Sequence, residues 1–130
     1  MKIGIKELCD AAEEQIETIS AEDAFKLYQD DSVIVVDLRD IRELYREGKI
    51  PGAYHAPRGM LEFWVDPKSP YHKSLFALDK CFVFYCAGGL RSALATQTVQ
   101  MMGMENVCHI RGGFEAWQKA KCPINLVEKK

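Results

Sequence analysis

No stretch of this chain is long and apolar enough to span a bilayer. The longest strongly apolar run, Cys81 to Ala87, falls well short of the roughly 18 to 20 residues a membrane helix needs. An export signal is missing as well, because Met1-Lys2-Ile3-Gly4-Ile5-Lys6-Glu7 turns charged before an apolar segment can form. Charge of one sign is also absent: 17 Lys and Arg face 19 Asp and Glu, which excludes the basic footprint of a nucleic-acid binder. The 5 cysteines, at positions 9, 81, 86, 108 and 122, form an odd set with no C-x-x-C spacing. That count and those gaps fit neither a disulfide framework nor a zinc site. His55, His72 and His109 are scattered and complete no ligand set. Internal repeats, low-complexity segments and linkers are lacking too. These absences predict a cytoplasmic protein with no metal, no nucleic-acid partner and no membrane partner.

What is present is globular. The chain has 130 residues, 48% of them hydrophobic, which suits a single domain over 1–130. A chain of this size buries roughly two-thirds of its unfolded surface and needs no staple. Val33–Val36, Cys81–Tyr85 and Val107–Ile110 are continuous apolar runs rich in β-branched and aromatic residues, the pattern of strands buried on both faces. Weaker strands are predicted near Ile16–Ile19 and Ala53–His55. Helices are predicted after the Ser20 cap, over Ile41–Glu47 ahead of Gly48, over Ser92–Met102, and over Phe114–Lys119 after Gly112-Gly113. The alternation predicts an α/β fold with a mainly parallel sheet between helices. Residues 57–70 read as a long loop with one helical turn at Met60–Trp64, and 123–130 as a frayed tail.

The segment with chemistry in it is Cys86-Ala87-Gly88-Gly89-Leu90-Arg91. A buried strand ends at Cys86 and a helix starts near Arg91, so the thiol is expected in the crevice at the carboxyl end of the sheet. Gly88 and Gly89 let successive N–H groups converge into an anion-binding nest. The helix N-terminus adds to that field, and the thiolate form should be favoured. Arg91 in the first helical turn opposes the dipole, at a cost of roughly 0.3 to 1 kcal/mol, which makes sense if an anion sits between them. No acid lies within the loop to oppose it. Arg58 is expected as a second anion contact and Trp64 as a wall of the crevice. Cys81 and Cys108 are expected as core thiols, and His55 and His72 as hydrogen-bonded turn residues.

Three segments together resemble the rhodanese (sulfurtransferase) family. Cys86 to Arg91 matches its C-x-x-G-x-R loop. Asp37-Leu38-Arg39 with Gly48-Lys49-Ile50-Pro51-Gly52-Ala53 is similar to its D-x-R and G-H-I-P-G-A blocks, with Lys49 where His is usual. Gly112-Gly113-Phe114-Glu115-Ala116-Trp117 is similar to its closing G-G-x-x-x-W segment. The resemblance covers a core of about 16–120 and implies a three-layer domain with a five-stranded, mainly parallel sheet. It implies a Cys86 persulfide formed from a small anionic sulfur donor and consumed by a thiol or cyanide, with no cofactor. The amides of Ala87, Gly88, Gly89, Leu90 and Arg91 would hold the sulfur, Arg91 would orient the donor, and Asp37 and Arg39 would be structural. A sulfur-relay protein could serve as the partner in place of a small molecule. Two other readings stand beside this one. A cysteine phosphatase needs five residues between Cys and Arg, where this chain has four. A non-catalytic binding module on the same fold would often lose the cysteine that is kept here.

Overall fold

The computed structural model describes residues 1–130. Five strands, β1 (Glu17–Ile19), β2 (Val33–Asp37), β3 (Tyr54–His55), β4 (Cys81–Tyr85) and β5 (Val107–Ile110), form one sheet in the order β1-β5-β4-β2-β3. Every pairing is parallel. Six α-helices cover it: α1 (Ile5–Gln15), α2 (Ala21–Leu27), α3 (Ile41–Glu47), α4 (Leu61–Val65), α5 (Leu90–Met101) and α6 (Gly113–Lys119).

Alternation along each strand splits the core in two. Val35, Val83, Tyr85, Cys108 and Ile110 face α2 and α6, where they meet Ala21, Ala24, Phe114 and Trp117. Val36, Phe82, Phe84 and Val107 face the other way, toward Leu61, Val65, Ala95 and Val99 of α4 and α5. The three apolar runs become strands because both faces are covered, and the expected three layers are present. Ser20 caps α2 by accepting from the Asp23 N–H at 3.0 Å. α3 ends at Gly48 with φ +81°, where a Cβ would lie 2.7 Å from the Asn125 carbonyl oxygen.

Two segments depart from the sequence reading. The N-terminal residues form α1, which packs on α5 and buries Cys9 and Ala12. The predicted frayed tail is tied down over its first part: Lys49 and Asn125 form an antiparallel bridge, and Trp117 Nε1 donates to the Pro123 carbonyl at 2.7 Å. Ile124 packs on the core, whereas Leu126 is exposed. The loop after β3 opens with a 3-10 turn, Arg58–Met60, that runs into α4. No helix is long and apolar enough to cross a membrane.

Candidate active site

Cys86 follows β4 directly at the carboxyl end of the sheet and has no exposed surface. Its Sγ accepts from the N–H of Gly89 at 3.2 Å and of Ser92 at 3.4 Å, and donates to Ser92 Oγ at 3.5 Å. Gly89 makes this possible. It caps α5 with φ +100°, a left-handed conformation open to glycine at little cost, and the chain turns back over the sulfur. The N–H groups of Gly88, Leu90 and Arg91 find no acceptor in the chain. Of the five amides expected in the nest, Ala87 to Arg91, only that of Gly89 is on the sulfur, and the Ser92 amide just beyond them is the second. Gly88 and Leu90 are exposed, and Ala87 is half-buried.

The loop is held from below by α6. The Phe114 N–H donates to the Cys86 carbonyl at 2.8 Å, and the Glu115 N–H to the Ala87 carbonyl at 3.0 Å. This approach explains the Gly112-Gly113 pair: a Cβ on Gly113 would sit 2.4 Å from the Cys86 oxygen and 2.8 Å from the Ala87 oxygen. Beneath Phe114 lies the buried pair of Asp37 and Arg39. Arg39 Nε and Nη2 donate to the carboxylate at 3.0 and 2.7 Å, and Nη2 also reaches the Gly48 carbonyl at 2.8 Å. The guanidinium carbon lies 4.2 Å from the centroid of the Phe114 ring. Tyr85 donates its hydroxyl to Asp37 at 2.5 Å, and burial, together with that carboxylate, pushes the phenol well above its ordinary value.

Arg91 does not face an empty loop. It makes a two-armed ion pair with Glu43 of α3, Nη1 to Oε2 at 2.9 Å and Nη2 to Oε1 at 3.0 Å. The loop itself carries no acid, but an acid reaches it from elsewhere in the chain. The Arg91 hydrogen bond holds the Glu43 carboxyl below its usual range against the opposing effect of burial. The ion pair therefore persists at neutral pH and is lost only in acid below the ordinary glutamate value.

The remaining predicted residues have partners of their own. Arg58 sits at the carboxyl end of β2, with its N–H on the Leu38 carbonyl, and its guanidinium is taken by Glu62 at 2.7 Å. Trp64 packs edge-on against Tyr54. His55 and His72 bond to the carbonyls of Arg39 and Trp64. Burial pushes the Cys9, Cys81 and Cys122 thiols up, and that of Cys108 to about 12.

Sequence reasoning missed a polar line behind Cys86. Ser92 Oγ lies 2.8 Å from His109 Nδ1, and His109 Nε2 lies 2.8 Å from Glu13 Oε1 on α1. Ser92 and His109 are fully buried. The available signal was the histidine in Val107-Cys108-His109-Ile110, a polar ring inside an otherwise apolar strand.

An all-parallel sheet with a thiol in a C-x-x-G-x-R turn, pinned by a G-G helix start, defines a rhodanese-type α/β domain. Residues 20–120 match the rhodanese-like domain, and the chain belongs to that family. A solved structure from Rhodopseudomonas palustris, a protein of unknown function described as a possible tyrosine phosphatase, is 54% identical with a TM-score of 0.93 and 96% of each chain covered. The thiosulfate sulfurtransferase GlpE of Glaesserella parasuis is 25% identical over 114 residues, covering 88% of this chain and 97% of that protein. An uncharacterised Synechocystis protein is 34% identical over 106 residues, which are 82% of this chain but only 54% of that protein.

Proposed function

We propose that this protein is a sulfurtransferase in which Cys86 carries a sulfane sulfur from an anionic donor, thiosulfate or a persulfide, to a thiol or cyanide. The observation that carries this reading is the Cys86 sulfur receiving the Gly89 and Ser92 amides in a six-residue loop that ends at Arg91. The thiolate attacks the outer sulfur of thiosulfate, the sulfur–sulfur bond of the donor breaks, and sulfite leaves with the electron pair. The terminal sulfur of the persulfide keeps its negative charge against the loop amides, as an oxyanion does in its hole. An acceptor then attacks that sulfur and Cys86 returns as thiolate. The phosphatase description of the Rhodopseudomonas neighbour fits this loop less well, because four residues between Cys86 and Arg91 make a cradle smaller than a phosphoryl group needs.

Intact mass after incubation with thiosulfate, without reductant, tests the covalent step. The wild type is expected to gain about 32 Da, one sulfur atom held on the nucleophile, and Cys86→Ala nothing. No gain with thiosulfate or with any of a panel of persulfide donors would leave the binding-module reading in its place.

Glu43 supports a second expectation. Its carboxylate competes with an anionic donor for Arg91, and it also accepts the Asp40 N–H at 2.9 Å as part of the α3 cap. Gln can keep that capping bond, so Glu43→Gln removes little besides charge. The KM for thiosulfate is expected to fall about two- to fivefold, the scale of a partly exposed ion pair. A rise in KM would mean that Glu43 serves mainly to position Arg91.

A further inference from the structure

A continuous hydrogen-bonded line leads from the buried thiol to the surface. Cys86 Sγ donates to Ser92 Oγ at 3.5 Å, Ser92 Oγ meets His109 Nδ1 at 2.8 Å, and His109 Nε2 meets Glu13 Oε1 at 2.8 Å. Thr18 Oγ1 braces the outer end, 3.1 Å from Nε2 and 2.5 Å from Glu13 Oε2. The His109 side chain is 1% exposed and that of Glu13 is 40% exposed. The chemistry of the two ends orients every proton. An ionised carboxylate only accepts, so Nε2 carries the imidazole hydrogen and Nδ1 is left as the acceptor. Ser92 then donates to Nδ1, and its free lone pair faces the thiol.

We propose that Ser92, His109 and Glu13 form a proton relay for Cys86, in which Ser92 touches the reacting sulfur and His109 and Glu13 act through it as positioning residues. The proposal rests on Cys86 being the nucleophile. As the thiol ionises, its S–H bond breaks and the proton passes to Ser92 Oγ, while the Ser92 proton passes to His109 Nδ1. The imidazolium formed pairs with Glu13, and no atom is oxidised or reduced. When the acceptor removes the sulfur, the same path returns a proton to the Cys86 thiolate. Glu13 lies on α1, outside the segment 20–120 that matches the family.

The groups facing His109 set the conditions. Burial pushes the imidazole below its ordinary 6.5, with Glu13 working upward and Arg111 downward. At neutral pH the ring is therefore uncharged and able to accept. In acid it gains a hydrogen on Nδ1, the Ser92 bond reverses, and the relay is blocked.

The experiment is the rate of iodoacetamide labelling at Cys86, read by peptide mass from pH 5 to 8, in wild type, Glu13→Gln, His109→Gln, Ser92→Ala and the double variant Glu13→Gln/Ser92→Ala. General acid–base assistance is commonly worth about a hundredfold or more, so His109→Gln and Ser92→Ala are each expected to slow labelling at least about tenfold. His109→Gln is also expected to flatten the acidic limb of the pH profile. Glu13→Gln should slow labelling severalfold, and it changes a half-exposed side chain that the fold tolerates even if a buried variant fails to fold. The double variant should be no slower than Ser92→Ala, because links in series do not add. A folded Glu13→Gln with the wild-type rate and profile, or a double variant with additive losses, overturns the relay. Labelling needs no sulfur donor, so a failed 32 Da gain with an intact labelling pattern would count against sulfur transfer and not against the relay.

Discussion

Asp37→Asn is expected to destabilise the fold by about 3 to 5 kcal/mol, the range seen when one partner of a buried ion pair is removed. The carboxylate accepts four bonds: from the Arg39 N–H, Nε and Nη2 and from the Tyr85 hydroxyl. An amide in the same place has one oxygen for these donors and turns an NH2 group toward the rest. Arg39 would keep its charge with no exposed surface, and its other carboxylate neighbour, Glu47, lies 3.6 Å from Nη1 without a hydrogen bond. A domain of ordinary stability has about 5 to 15 kcal/mol to lose, so this one atom-for-atom change removes a large share. The urea midpoint should fall with little change in slope. A loss below about 1 kcal/mol would mean that water reaches the guanidinium, contrary to its burial. Arg39→Lys should also be costly, because a point charge cannot span Asp37 and the Gly48 carbonyl as the planar fork does.

The same pair shows why some of the molecule was legible in the sequence and some was not. Cys81–Tyr85 was readable as a strand because it is apolar at every position, and Val107–Ile110 because it is apolar at every position but His109, a signal local to each run. Gly48 closes α3 for an equally local reason, a left-handed residue that ends the helix, whereas the Asp40 cap at its other end emerges only in the structure. The Cys86 loop was legible because a thiol, two glycines and an arginine are contiguous. The structural role of Asp37 and Arg39 came from the family resemblance.

What escaped was long-range and polar. α1 buries only Cys9 and Ala12, too narrow an apolar stripe to outweigh its charged residues, and its partner α5 lies far along the chain. Arg91 looked free because its partner Glu43 is 48 positions away. His109 looked like one scattered histidine because Glu13 and Ser92 reach it only through the sheet and the helix packing. Residues 123–125 looked frayed because their hold on Lys49 is a tertiary bridge without local pattern.

Gly113→Ala should lose both stability and sulfur loading, whereas Gly112→Ala should lose stability alone. Both glycines have positive φ, +73° at Gly112 and +59° at Gly113, so each substitution carries the left-handed penalty of about 1 to 2 kcal/mol. The difference lies in what the new methyl group meets. At Gly112 it would lie 2.8 Å from the Ala116 Cβ, within α6 itself. At Gly113 it would lie 2.4 and 2.8 Å from the carbonyl oxygens of Cys86 and Ala87, backbone atoms that cannot step aside as a side chain can. Overpacking of this kind costs about 1 to 3 kcal/mol more, and its relief moves the loop. The Phe114 and Glu115 N–H groups that hold those carbonyls move with it, and the Gly89 amide is drawn off the sulfur. A displacement of about 1 Å at a reacting centre is enough to cost on the order of a hundredfold in rate. The expected result is therefore a Gly113→Ala protein that remains folded at low temperature, yet forms the persulfide about a hundredfold more slowly than Gly112→Ala of similar melting temperature. Equal loading rates in the two variants would mean that α6 supports the fold without setting the geometry of the loop.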